Sequence, residues 1–498
     1  MSVSAIRSSN SISEMALNSN PLLEGLNLVT SEAAMLPVIA RNPFRNEAWK
    51  KYNQDIDLLR SYMQQLVVPT LPTLKVGVSI HKALKISLHQ QNPEIKRNQR
   101  QYFLTGESLL KPEYSRGIHD GVCIEGITGL GKSHLIQASL ATIPQCVERY
   151  NLKGVERVAQ INWLYIDLSS IASVEALAIR LVDEVDAVLG CNGKLLQLTF
   201  KGVIGATSKM QAAVRLLKTY YCGIIIFDEI QSANFAATTA APLRDWMLRI
   251  ANVGIGLVFC GNPLGFKLQV PKKKKGLADE EPLSTQVMRR LFSSEKIRLD
   301  PAPGYNDAVW SYFSKAVNSC RIIGNPHKYD EELEQYKFQF TAGFPDFYVD
   351  LHCSIETILS KDKDRKVDKA LIELAAKKSA KLMEMKPLIN AFIKHDSTAL
   401  RMCLDVDNNY YQQLWMDGIS VGESNPQAGP VAMVATQSKA TDVAKSLEED
   451  KKRAGRRSKM KTAKAEKQIN PAAASVRNHH LDGLAGIISG KAQNNKEE

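Results

Sequence analysis

The sequence predicts an α/β fold: a parallel sheet flanked by helices around a glycine-rich loop, followed by a smaller helical lid and a basic, mostly disordered tail. Three observations predict it. Between about residues 121 and 300, short apolar runs alternate with segments of helical spacing. A glycine-rich turn joins the first of these runs to the helix that follows. Beyond about residue 301 the strand-like runs fade and helical spacing dominates. Strands that are apolar along their whole length and separated by helices belong in a parallel sheet covered on both faces.

Taken in order, residues 1–40 are rich in Ser and Asn, weakly patterned, and read as an extended or flexible arm. Trp49 to Leu66 has amphipathic spacing, and VVPTLPTL after it reads as a linker or docking segment. GVCIEGI is the first strand, and a helix over roughly 132–143 follows its glycine-rich turn. INWLYIDLSS is the second strand, with VEALAIRLVDEVDAVLG as its helix. GIIIFDE, GIGLVFCGN and EKIRLDP are the third, fourth and fifth strands, and RDWMLRIANV is a helix between the third and the fourth. YNDAVWSYFSKAVNSC, FPDFYVDLHCSIETILS and VDKALIELAAKKSAKLMEM read as helices of the smaller domain. From about residue 419 the composition shifts to Gly, Ser, Pro, Ala and Lys, which predicts disorder. The resulting segments are 1–100, 101–300, 301–418 and 419–498, with no internal repeat.

A chain of 498 residues has room for two to four domains. Its 44% hydrophobic and 23% charged content excludes wholesale disorder. The net charge of +12 fits a polyanionic partner without choosing between nucleic acid and an anionic membrane. No apolar stretch approaches 18 residues, so no membrane span is expected, and the N-terminus lacks the pattern of a secretory signal. The eight cysteines form no CxxC pair and several sit in apolar runs, the usage expected of buried thiols in a reducing cytoplasm.

The strongest chemical signal is Gly126-Ile-Thr-Gly-Leu-Gly131-Lys132-Ser133, which matches GxxxxGK[ST] between a strand and a helix. The candidate nucleotide contacts are Gly126, Thr128, Gly129, Leu130, Gly131, Lys132, Ser133 and the adjacent His134. Glycines let the backbone curl so that successive N–H groups face phosphate oxygens, and the helix N-terminus adds its positive dipole end. Lys132 can reach the β and γ phosphates, and Ser133 can ligate Mg²⁺. The strand ending in Asp228 and Glu229 sets two carboxylates at the sheet's C-terminal edge, Asp228 for Mg²⁺ and Glu229 to polarise an attacking water. Asn262 closes the fourth strand and could orient that water. Arg289 and Arg290, in STQVMRRLF, could stabilise charge at a neighbouring subunit's γ-phosphate.

Strand and P-loop, strand and Asp-Glu, strand and Asn, paired Arg and then a helical lid, in that order over residues 100–390, resemble the AAA+ ATPases. Within that group the chain is similar to the TnsC/TniB-type regulators of transposition. RNQRQYFLTGE, IIIFDEIQ, FCGNP, the RR helix, TAGFPDF and the basic tail carry the resemblance. It implies an ATP- and Mg²⁺-dependent ATPase that forms a ring or filament on duplex DNA and links a target-selection protein to transposase subunits. It also implies a nucleoid-associated cytoplasmic location, and a catalytic set of Glu229, Asn262 and either Arg289 or Arg290. A replication initiator or helicase loader, or a nucleotide-clipped DNA scaffold with negligible turnover, remains the alternative. Two features depart from the pattern. AAA+ lids often place an Arg after Gly-x-Pro, whereas Gly343-Phe-Pro345 precedes Asp346. Pro271 to Pro282 is a charged insertion that reads as a solvated loop.

If DNA is encircled, its contacts should come from CNGKLLQLTFKGVIGATSKM, which carries Lys194, Lys201 and Lys209 among hydroxyl side chains and has no acid. Such side chains suit backbone contact without base reading. Residues 431–498 add 14 Lys and Arg against 8 Asp and Glu, a net +6, and a small apolar island, HHLDGLAGIISG, suited to ordering on a partner.

Overall fold

The apolar runs form one parallel sheet in the computed structural model, which describes residues 20–45, 56–95, 98, 121–152, 155–233, 241–266, 291, 295–321, 330–362, 365–403 and 405–422. The strands are β1 (Val122–Glu125), β2 (Cys146–Leu152), β3 (Val155–Ile161), β4 (Trp163–Asp167), β5 (Ile224–Asp228), β6 (Gly256–Gly261) and β7 (Glu295–Arg298). Five of them lie in the order β4-β5-β6-β1-β7, every neighbouring pair parallel, while β2 and β3 form a separate antiparallel hairpin.

The side-chain period of two explains why the central runs are apolar throughout. Ile224 and Ile226 of β5 enter one core and Ile225 and Phe227 enter the other. Val258 and Cys260 of β6 divide from Leu257 and Phe259 in the same way. Both faces are therefore dry, as a parallel sheet requires.

The helices that supply the cover come in chain order. They begin with α1 (Glu32–Ile39), α2 (Leu59–Met63), α3 (Leu71–Gln90) and α4 (Lys132–Leu140). Next come α5 (Val174–Leu189), α6 (Lys194–Phe200), α7 (Ala206–Thr219) and α8 (Ala241–Asn252). Helices α3 and α4 cover the first face through Ile80, Leu84, Ile136 and Leu140. Helices α5, α7 and α8 cover the second through Leu181, Val214 and Met247. After the sheet follow α9 (Ala308–Asn318), α10 (Glu331–Phe338), α11 (Pro345–Leu359), α12 (Lys369–Lys378), α13 (Ala380–Glu384), α14 (Lys386–Ile393) and α15 (Asn408–Gly422). Sheet, covering helices and the smaller helical region after them make up the α/β fold that the sequence predicts. The chain divides into two compact units, Met1–Trp415 and Met416–Glu498, and of the second only 416–422 are described. The basic tail, the Pro271 to Pro282 insertion and RNQRQYFLTGE lie outside the described residues, apart from Asn98.

Four expectations need correction. Residues 20–40 are no loose arm. Leu22 is fully buried, and the buried Arg149 of β2 donates to Leu22 O (2.9 Å), Glu24 O (2.7 Å) and Gln160 Oε1 (2.7 Å). Met35 and Ile39 of α1 pack into a cluster with Leu74 and Val78 of α3. Next, the segment read as a linker or docking segment is no linker: it opens α3, a helix of 20 residues with proline in its first turn, where the missing N–H would have no helical partner anyway. Third, the described part of the amphipathic stretch is a 3-10 turn, Ile56–Leu58, followed by the short α2, and the helix stops before Leu66. Last, the long helix expected after residue 366 is broken at Ser379. The Ser379 side chain accepts from Leu382 N to start α13 and donates to Asp350, which a continuous helix would not allow.

The β2–β3 hairpin has no counterpart in the sequence reading. Its exposed face is charged (Glu148, Arg157), so no apolar run marks it. None of the eight cysteines is in a disulfide, and five are buried. Among the described residues no helix is long and apolar enough to cross a membrane.

Replacing Arg149 with Ala is expected to lower stability to urea by about 2 kcal/mol, because two carbonyls and the Gln160 amide lose a charged donor. Limited proteolysis of the same variant should cut near residues 20–28 sooner than in wild type.

Candidate nucleotide site at the sheet edge

The loop between β1 and α4 curls through two left-handed residues, Gly129 (φ +90°) and Gly131 (φ +78°). At Gly129 space is short as well: a Cβ there would lie 2.9 Å from the Phe347 ring. Gly126 donates its N–H to Gly261 O at 3.2 Å, which fastens the start of the loop to β6. Leu130 is buried and anchors the loop in the first core. Thr128 is exposed.

Lys132 is buried and its Nζ donates to Ile127 O at 3.2 Å. Burial holds its ammonium below the ordinary lysine range, opposed by the nearby Cys260, Glu229 and Asp228. Ser133 Oγ donates to Asp228 Oδ2 at 2.7 Å. His134 Nε2 meets Leu66 O at 3.1 Å, and burial holds its ring below the usual histidine range.

Asp228 ends β5, buried. Burial pushes its carboxyl up, but donors outweigh it: the Cys260 thiol, the Tyr165 hydroxyl, Ser133 and the Glu229 N–H together hold it below the usual aspartate range. Glu229 follows at φ +57°, a left-handed conformation that costs a non-glycine residue about 1–3 kcal/mol. Burial and the charge of Asp228 raise its carboxyl. Asn262 is buried just past β6, and its backbone N–H donates to Gln231 Oε1 at 3.0 Å.

These groups border a cleft of about 350 Å³, lined by Thr128, Gly129, Gly131, Lys132, Ser133, His134 and Glu229 on the sheet side. The opposite wall comes from Arg60, Met63, Gln64 and Leu66 and from the lid residues Phe313, Pro345, Asp346, Val349, Asp350, Cys353 and Lys381. Asp228, Asn262, Gly126 and Leu130 do not line it, and Asp228 meets it only through Ser133. The lid is tied to the loop by the Asp346 N–H, which donates to Gly129 O at 3.1 Å. Where the resemblance implies an arginine after Gly-x-Pro, Asp346 pairs instead with Lys381 at 2.9 Å, a cation brought from another helix.

The residues present fit a nucleotide with Mg²⁺. The curled loop, a lysine and a helix N-terminus face one cleft, and a hydroxyl lies beside an ionised carboxylate. Among the described residues no group of three or more His, Cys, Asp or Glu could hold a metal alone. Mg²⁺ takes one or two protein ligands and completes its shell with phosphates and water, and Ser133 with Asp228 would supply such a pair.

Sequence reasoning missed several contributors. Tyr165 is 63 residues from Asp228, and only the β4–β5 register makes them neighbours. Arg60, paired with Asp350 at 2.7 Å, and Lys381 reach the cleft through tertiary packing that no local spacing encodes. Gln231 stands inside the quoted IIIFDEIQ, and its side-chain bonds are the signal that singles it out. The candidate DNA contacts are not equivalent: Lys194 and Lys201 are exposed, while Lys209 pairs with Glu175 of α5 at 2.6 Å. Arg289 and Arg290 lie outside the described residues.

No protein-family model matches the chain. No curated protein matches it either. Among solved structures it is similar to the Aeropyrum pernix ORC1 protein in complex with DNA, at 19% identity over 51% of this chain and 58% of that one, with a TM-score of 0.34. It is also similar to Drosophila ORC bound to DNA, at 12% identity over 72% of this chain and 83% of that one, with a TM-score of 0.31. The chain spans 58% of the length of the Aeropyrum pernix protein. Its own fold defines an α/β protein with a glycine-rich loop after the first sheet strand and helices across the cleft from it.

Gly129→Ala is expected to lower the melting temperature well below that of Gly131→Ala, whose Cβ would meet nothing within 4 Å. Both carry the left-handed penalty, but only the first also displaces the Phe347 ring.

Proposed function

We propose that this protein is an AAA+ ATPase that binds and hydrolyses ATP with Mg²⁺ in the cleft under the lid. The observation that carries the reading is that the start of α4 and the end of β5 bring Lys132, Ser133 and Glu229 to one cleft, with Asp228 bonded to the Ser133 hydroxyl. In this reading Lys132 sets its charge against the terminal phosphates, and Ser133 and Asp228 hold the metal. Bound Mg²⁺ supplies charge neutralisation on the phosphates. Glu229 takes the role of base toward the attacking water, with Asn262 beside it and Arg289 or Arg290 acting from a neighbouring subunit. The wall formed by Arg60, Gln64 and the lid would enclose the base and ribose.

Beyond the chemistry, the reading is a DNA-binding regulator of transposition that oligomerises as a ring or filament on duplex DNA and links target selection to transposase recruitment. The net charge and the residues resembling TnsC-type proteins support it. Nucleotide would favour the assembled state by binding it more tightly than the free one, and hydrolysis would release it. Lys194 and Lys201 are the freer phosphate contacts, and Lys209 would have to leave Glu175 to join them.

Lys132→Ala is expected to abolish binding of a fluorescent ATP analogue. Glu229→Gln should keep binding and lose roughly 10²–10⁴-fold in turnover. Electron microscopy with linear duplex DNA should give rings or filaments only with a non-hydrolysable ATP analogue. Monomers under every nucleotide condition would sink the encircling model and favour a loader or initiator that assembles on a protein partner. In a salt titration, Lys194→Ala and Lys201→Ala should each reduce the log–log slope of DNA binding by about 1.

A further inference from the structure

Two short 3-10 turns, Ile230–Ala233 after β5 and Pro263–Phe266 after β6, meet beside the cleft. Gln231 lies at that junction, with its side-chain amide engaged at both ends. Oε1 accepts the Asn262 backbone N–H at 3.0 Å, and Nε2 donates to Glu229 Oε2. The two partners fix which way the amide faces. A backbone N–H can only donate and an ionised carboxylate can only accept, so the flipped amide would oppose donor to donor and acceptor to acceptor.

The surrounding residues make room for this bridge. A Cβ on Gly261 would lie 2.4 Å from Gln231 Oε1, and one on Gly265 would lie 3.0 Å from the Gln231 backbone nitrogen. Neither glycine has a left-handed φ, so their own backbones do not require them. What requires them is the space taken by Ile230 and Gln231: a Cβ on Gly261 would also lie 2.6 Å from Ile230 Cγ2. Glu229 does have a left-handed φ, and such a residue keeps it only where its surroundings hold it. The Glu229 N–H on Asp228 Oδ1 holds the backbone at 2.8 Å, and Gln231 holds the carboxylate.

We infer that Gln231 is a positioning residue for hydrolysis: one side-chain amide keeps the Glu229 carboxylate aimed into the cleft and ties it to the turn that carries Asn262. The inference rests on the hydrolytic reading of the cleft. It adds that the base and the polar residue beside it are set by a common bridge and not independently. Gln231 does not line the cleft, so its loss should leave nucleotide affinity alone and act on turnover.

The test uses the full-length protein, with steady-state hydrolysis of Mg-ATP and equilibrium binding of a fluorescent ATP analogue measured side by side. Gln231→Ala is expected to lower kcat by about 10- to 100-fold, the scale of a small misplacement of a catalytic group, with analogue affinity and melting temperature near wild type. Gln231→Asn, one methylene too short to bridge, should lose the same factor without leaving a large void. In a Glu229→Gln background, Gln231→Ala should cause no further loss, because a residue that acts through Glu229 has nothing left to position. Gly261→Ala should reproduce the loss and not add to Gln231→Ala. A Gln231→Ala protein that turns over like wild type overturns the positioning role and leaves the hydrolytic reading standing. So does a full, additive loss in the Glu229→Gln background, or a loss confined to analogue affinity. A wild-type protein that binds the analogue but shows no hydrolysis abolished by Glu229→Gln overturns both.

Discussion

The ionised carboxylate of Asp228 organises the cleft. Burial alone would favour its protonated form, and four donors reverse that preference: a thiol from β6, a phenol from β4, a hydroxyl from α4 and the next backbone N–H. Each donor comes from a different place in the chain, so the carboxylate records whether β4, β5, β6 and the loop helix are all in register. Slipping one strand by a residue would turn its donor to the other face and leave a buried charge short of partners. The side chain that suits a divalent cation is thus also a cross-brace of the sheet.

A second constraint joins the loop to the lid. The Phe344 and Phe347 rings stack with centroids 4.8 Å apart and press on Gly129, while the first turn of α11 donates to that glycine's carbonyl. A rigid aromatic pair against a residue with no side chain leaves little room for the loop to change curvature without moving the lid. Arg60 completes the coupling from the other side, since Asp350 of α11 is its partner. Loop, lid and N-terminal segment therefore line one cleft from its two sides, and a change in any of them is felt by the other two.

The part of the fold that was legible from sequence was the part written in local pattern. Four strands are apolar on both faces and announce themselves as runs, and β7 follows from its place after them. The loop and the strand end are contiguous motifs. The hairpin escaped because its outer face is polar and its inner residues, such as Arg149, are buried by contact with a segment more than 120 residues away. The docking of residues 20–40 escaped for the same reason: Ser and Asn give no periodicity, and Asn20 is held by a bond to the Leu88 carbonyl. At the site, Tyr165, Arg60 and Lys381 depend on register and tertiary packing. Ser379 shows the converse, a helix pattern that continues in sequence but is cut by a cap bonded to another helix.

The wall of the cleft also has a history in time. Arg60 leaves the ribosome long before its partner Asp350, and Leu22 well before the Arg149 that holds it. The sheet strands and the loop can come together once about the first 300 residues exist, but the far wall cannot close until the lid helices follow. During synthesis the nascent sheet therefore carries a curled loop with an open side, and the N-terminal residues wait without their packing partners. Contacts that span so much of the chain slow folding, because the loop must close before any contact rewards it. A chain released or stalled before the lid would show unburied Leu59, Met63 and Leu66 to the cell. The cleft is accordingly complete only once the chain has been made as far as Lys381.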